Sequence, residues 1–268
     1  MSINYWCSPD IEENYKPFIN GKKNYSKTEI LYDYNKEGFR CDDFDFKTSH
    51  PLLFMGCSFT EGVGLPLDEV YAYHIHQRYQ KYLGINIPFW SLAKGGTSID
   101  YAARMLYQFY NILKPKYIIY LMSGFYRREY CYENKYLNWY PNPSPLHKSD
   151  DNFKNVGKFY SDASYAAYQS YRSLIILNNI CKDLACKIYL FDMFLYKKEE
   201  QVFVDQVKQF DQIIYTPLSN LKYNSNLSIP DKILNRPLKA RDCSHHGAKW
   251  HYNIGDAIWN FFSANEKL

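Results

Sequence analysis

The sequence predicts an α/β chain: a five-stranded parallel sheet covered by helices on both faces, a three-layer α/β/α sandwich, preceded by an N-terminal extension. Short apolar runs recur without the polar alternation of a half-exposed sheet, as buried parallel strands require. Amphipathic segments of crossover length lie between them, and right-handed crossovers then distribute helices to both faces. The chain has 268 residues, of which 46% are hydrophobic, enough for one large domain with its own core.

Residues 1–50 are polar and turn-rich and read as an extension packed on the domain, with "NKEGFR" near their end. The domain itself is expected over 51–268. "LLFMG" (52–56) is the first strand and 69–83 the first helix; "INIPFWSLA" (85–93) is the second strand and 98–113 the second helix; "KYIIYLM" (116–122) is the third strand. A polar, aromatic and proline-containing insertion follows over about 126–160. A helix at 164–184, a strand at 187–194, a short helix at 199–210, a strand at 213–218 and a closing helix at 247–262 complete the pattern.

Composition excludes several classes. With 32 basic and 28 acidic residues, a formal charge of +4 and no basic stripe, nucleic acid is not an expected partner. No apolar run reaches membrane-spanning length. The N-terminus lacks a basic segment followed by an apolar one, so a cytoplasmic or virion-associated protein is expected. The seven cysteines are odd in number and form no C-x-x-C, as expected of reduced thiols rather than a disulfide framework.

Ligands of such sheets bind at the C-terminal strand ends. Three loops converge there: the turn carrying Ser58, "GGTS" (95–98) and "SGFYRR" (123–128). Ser58 sits at a strand–turn–helix junction where a nucleophile can be presented. Near the C-terminus, "RDCSHHGAKWH" (241–251) places Asp242 three residues before His245. A serine nucleophile needs a base to take its proton, and that base needs a carboxylate to fix its tautomer. One short loop can supply both. Alone, D-x-x-H is equally an N-cap beside a surface histidine.

The combination resembles the SGNH/GDSL hydrolases, serine esterases and acylhydrolases. Their first block, Gly-Asp-Ser-Phe-Thr-x-Gly, corresponds to Gly56–Gly62, their second-block glycine to Gly96 in "SLAKGGTS", and their D-x-x-H to Asp242 and His245, with His251 at the spacing of a second histidine. "NKEGFR" resembles a segment upstream of the first strand in many members. The likeness spans roughly residues 30–262. It implies an SGNH-hydrolase, flavodoxin-like fold in which Ser58 attacks, His245 is the base, Asp242 orients it and the N–H groups of Ser58 and Gly96 form the oxyanion hole. The implied substrate is a small acyl ester or an acylated carbohydrate, with no cofactor and no metal. Tyr126, Arg127 and Arg128 of the third loop are the expected substrate-binding residues.

Two departures stand out. Cys57 replaces the first-block Asp, which makes Cys57 an alternative nucleophile. Gly124 falls where the family carries an oxyanion-binding Asn, and loss of one such donor typically costs on the order of 100- to 1000-fold in turnover. Ser123, Arg127 and Arg128 are the candidates to replace it. An O-acyltransferase and a catalytically degenerate binding module remain the alternatives. Cys243, His245, His246 and His251 fit no common zinc spacing.

Overall fold

The computed structural model describes residues 2–4, 10, 30–45, 47, 52–124, 127–132, 135–139, 163–193, 198–222, 238–242 and 245–268. Two short N-terminal strands, β1 (Ser2–Asn4) and β2 (Tyr32–Tyr34), pair antiparallel. The central sheet holds β3 (Leu52–Gly56), β4 (Trp90–Ser91), β5 (Tyr117–Met122), β8 (Lys187–Asp192) and β9 (Ile213–Pro217), all parallel, in the order β4-β3-β5-β8-β9. A separate antiparallel hairpin is formed by β6 (Arg128–Tyr132) and β7 (Lys135–Trp139).

The helices are α1 (Ser58–Glu61), α2 (Tyr71–Leu83), α3 (Ile99–Leu113), α4 (Ala163–Leu184), α5 (Lys198–Val207) and α6 (Ala248–Glu266). α2 packs with α6, α3 with α4, and α4 with α5. The sheet lies between these groups, its strands buried on both sides: Leu52–Met55, Ile118–Met122 and Ile188–Phe191 are all at most 1% exposed. That is why the strands read as continuous apolar runs. Strand order reverses between β3 and β5, so the crevice at their C-terminal ends is the topological switch point of the fold.

Local chemistry explains the element ends. Ser98 caps α3 by accepting the Tyr101 N–H at 3.3 Å. Ile99, Ala102, Ala103, Leu106, Phe109 and Leu113 form its buried stripe. The run 85–93 contributes only Trp90–Ser91 as a strand. Pro88 has no N–H to give, and the Phe89 N–H turns to Asp42 Oδ2 at 2.7 Å instead of a neighbouring strand. Within the expected insertion, the described residues form the β6–β7 hairpin. It is fastened to α3 by a two-point Arg104–Glu129 pair at 2.7 and 2.6 Å. The N-terminal residues Ile30, Tyr32, Phe39 and Cys41 belong to the same hydrophobic core as the sheet. Among the described residues, no helix is long and apolar enough to cross a membrane.

Candidate active site

The site is built on the turn after β3. Gly56 ends the strand at φ +155, and a Cβ there would lie 2.0 Å from Thr60 Oγ1 and 2.9 Å from the Leu121 carbonyl oxygen. The chain can fold back into α1 at once only because no side chain occupies that space. The Cys57 carbonyl accepts the Thr60 and Glu61 N–H groups, each at 3.0 Å. Ser58 is the first residue of α1, so its own N–H has no intrahelical acceptor. The far end of this turn is tied down by Arg40 of the "NKEGFR" segment. Its Nη1 donates to the Glu61 and Gly62 carbonyls at 3.1 and 2.7 Å, and its Nη2 to the Leu31 and Leu65 carbonyls at 3.1 and 2.9 Å.

Ser58 Oγ lies 2.7 Å from His245 Nε2. On the other side of the ring, His245 Nδ1 lies 2.5 Å from Asp242 Oδ2, while Asp242 Oδ1 accepts the His245 N–H at 3.0 Å. Ser58 and Asp242 are each 4% exposed. The Phe59 ring meets the imidazole edge-on at 5.1 Å.

The loop carrying Asp242 and His245 is closed by Ala240 N–H to His245 O at 3.1 Å and Gly247 N–H to Leu238 O at 2.9 Å. It docks on Gly64, whose carbonyl accepts the Arg241 N–H at 3.0 Å. Gly64 has φ +80, and a Cβ there would sit 2.8 Å from Ala240 Cβ and 3.1 Å from Arg241 N. This close approach requires glycine. Beneath the loop, Arg241 forms a fully buried ion pair with Asp10: Nε to Oδ1 at 3.0 Å and Nη2 to Oδ2 at 2.5 Å, with both side chains 0% exposed. Tyr32 links the parts, donating to Asp10 Oδ2 at 2.5 Å and accepting the Gly64 N–H at 2.8 Å.

The second turn is held by Glu61. Its Oε2 accepts the Gly95 N–H at 2.6 Å and its Oε1 the Tyr34 hydroxyl at 3.2 Å. The Thr97 N–H goes to the Lys94 carbonyl at 3.4 Å. The Gly96 N–H, between these engaged amides, makes no such bond among the described residues. Burial pushes the Glu61 carboxyl above its ordinary value of 4.5, and the Gly95 N–H, the Arg40 charge and the Tyr34 hydroxyl pull it back only in part. An acid raised in the fold stabilises the fold fully below its unfolded value, and that contribution is lost as pH rises through the folded value. Glu61→Gln keeps an acceptor for Gly95 and removes the titration. Its thermal midpoint relative to the parent should therefore climb as pH rises above about 4.5; a pH-independent difference would contradict this.

The structure brings Ser58, Asp242 and His245 together, but it does not bring Arg128 to them. Arg128 is 1% exposed. Its Nη2 donates to the Ala166 carbonyl and, at 2.9 Å, to Ser170 Oγ, so the guanidinium fastens the hairpin to α4. Arg127 is half-buried, and its N–H closes the loop on the Gly124 carbonyl at 3.0 Å. Tyr126 and Cys243 lie outside the described residues. Cys57 is 4% exposed. His251 is buried and accepts the Tyr71 N–H on Nδ1 at 3.3 Å. Burial holds it well below the ordinary histidine value of 6.5, in the neutral form that can accept. Among the described residues, no three His, Cys, Asp or Glu side chains gather as metal ligands. Asp10, Arg241, Gly64 and Glu61 escaped the sequence reading. Only Glu61, inside the serine motif, carried any local signal.

No family model matches the chain, and no curated protein matches it. Solved structures do. The psychrotrophic esterase EstA from Pseudoalteromonas sp., in a structure inhibited by monoethylphosphonate, matches with a TM-score of 0.51 at 10% identity, over 82% of this chain and 100% of that one. A family 3 carbohydrate esterase from Clostridium thermocellum matches with a TM-score of 0.45 at 12% identity, over 80% of this chain and 94% of that one. Axe2, an acetyl-xylooligosaccharide esterase from Geobacillus, matches with a TM-score of 0.44 at 14% identity, again over 80% and 94%. The likeness to EstA shows a shared fold, a five-stranded parallel sheet flanked by helices.

Proposed function

We propose, from a chain with this fold, a serine ester hydrolase that removes acetyl or another small acyl group, with a carbohydrate as the acyl carrier. The observation that carries the reading is the unbroken line Ser58 Oγ–His245–Asp242, at 2.7 and 2.5 Å. Both distances are within hydrogen-bond reach for a nucleophile, its base and the group that orients the base.

In this reading His245 Nε2 takes the proton as Ser58 Oγ attacks the ester carbonyl. Asp242 holds the Nδ1–H tautomer and stabilises the imidazolium. The oxyanion forms against the N–H groups of Ser58 and Gly96. His245 then returns the proton to the leaving alcohol, an acyl-enzyme remains, and water activated by the same imidazole releases it. Arg127 is the substrate contact from the third loop, since the Arg128 guanidinium is engaged elsewhere. The carbohydrate assignment rests on the motif resemblance and on the aromatic-rich insertion after β5.

The test is hydrolysis of p-nitrophenyl acetate against longer acyl chains, together with acetate release from acetylated oligosaccharides. The reading expects turnover of the short chains and falling kcat/KM as the acyl chain lengthens. No turnover of any ester by the folded protein would contradict it.

A further inference from the structure

We propose that Ser123 Oγ is the third donor to the oxyanion, in place of the amide side chain that the family carries on this loop. The inference rests on the esterase reading above and assigns a residue that the motifs do not.

Placement comes first. The β3–β5 ladder ends at the pair Gly56 and Leu121. Two residues further along each chain stand Ser58 and Ser123, so both serines lie on the C-terminal rim of adjacent strands, on either side of the switch point. The second observation is the state of the hydroxyl. Ser123 is 5% exposed, and its Oγ has no hydrogen-bond partner among the described residues. Buried hydroxyls in native proteins are almost always paired, because an unpaired one forfeits its bonds to water. A group left in that state at the rim of a site is accounted for if its acceptor arrives with the substrate.

The chemistry fits. As the Ser58 Oγ–carbon bond forms, the carbonyl π pair moves onto oxygen, and that oxygen can accept more than the two bonds offered by the Ser58 and Gly96 amides. Ser123 O–H donates to it without transferring its proton. With no competing acceptor among the described residues, the donor is set for charge that develops only in the transition state. The other candidates on this loop are weaker. Gly124 has no side chain, and Arg128 is held by Ala166 and Ser170. Arg127 Nη1 has no partner among the described residues, but Arg127 lies four residues beyond Ser123.

The experiment compares the full-length parent with Ser123→Ala, Ser123→Thr and Arg127→Ala on a short-chain ester. It measures kcat, KM, the inhibition constant of an alkyl boronic acid, whose tetrahedral adduct mimics the oxyanion, and the thermal midpoint. Ser123→Ala should lose about 100-fold in kcat with KM within about twofold, and boronate affinity should fall in step. Its midpoint should hold or rise, because a buried unpaired hydroxyl is removed; a purely structural role would lower it. Ser123→Thr, which keeps the hydroxyl, should recover much of the turnover. Equal turnover by Ser123→Ala and an active parent would overturn the proposal while leaving the esterase reading intact. So would a kcat loss confined to Arg127→Ala, or a loss in Ser123→Ala that tracks a lower midpoint. A parent that hydrolyses no ester would overturn both.

Discussion

Ser58→Ala is expected to remove ester hydrolysis while leaving the fold intact. Losing the nucleophile of a serine triad typically lowers kcat by on the order of a million-fold. The structural cost is small by comparison. The hydroxyl is buried but makes its hydrogen bond to His245, so truncation should cost about 1 kcal/mol. Neither the Gly56 turn nor the Cys57 carbonyl bonds that start α1 depend on the serine side chain. Circular dichroism and the urea midpoint should stay near the parent's while turnover disappears. Comparable rates for mutant and parent would move the nucleophile elsewhere, and Cys57→Ala would then be the next variant to measure.

The second large effect is expected far from Ser58 in sequence. Asp10→Ala removes the carboxylate paired with the Arg241 guanidinium, which is 0% exposed. Breaking a buried pair on one side typically costs about 3–5 kcal/mol, a large share of the roughly 5–15 kcal/mol that holds a domain together. Tyr32 loses its acceptor as well, and Tyr32 in turn receives the Gly64 N–H. Arg241 adjoins Asp242, so the acid–base loop should lose its seat and kcat should fall along with stability. Because each single variant leaves one buried charge behind, Asp10→Leu combined with Arg241→Met should cost much less than the sum of the single losses. Urea unfolding of the four proteins tests this. A loss below about 1 kcal/mol in the single Asp10 variant would show that the pair is not closed in solution.

How much of this was legible in sequence follows from how local each signal is. Strands β3, β5 and β8 announce themselves because both their faces are buried, so nothing interrupts the apolar run. Ser98 marks the start of α3 because an N-cap acts three residues away. Ser58, Asp242 and His245 were readable because their spacing lies within short motifs, even though only the fold brings the two loops together. The failures share the opposite character. Asp10 and Arg241 meet across 231 residues, and nothing near either one indicates a partner. Arg128 reads as an exposed loop arginine beside Arg127. Its burial depends on α4, which enters some forty residues later with the Ala166 carbonyl and Ser170. The β6–β7 hairpin was hidden in a polar, tyrosine-rich stretch with no glycine turn to mark it. The second strand is shorter than its apolar run because Pro88 has no N–H to give and Asp42 captures the Phe89 N–H.

The central claim is that Ser58 is the activated nucleophile, and covalent labelling tests it most directly. Treating the native protein with an alkyl fluorophosphonate and mapping the adduct by tandem mass spectrometry should place a single modification on Ser58, lost in Ser58→Ala and sharply slowed in His245→Ala. An adduct on Cys57 or another residue, or no adduct on a folded protein at high reagent concentration, would contradict it.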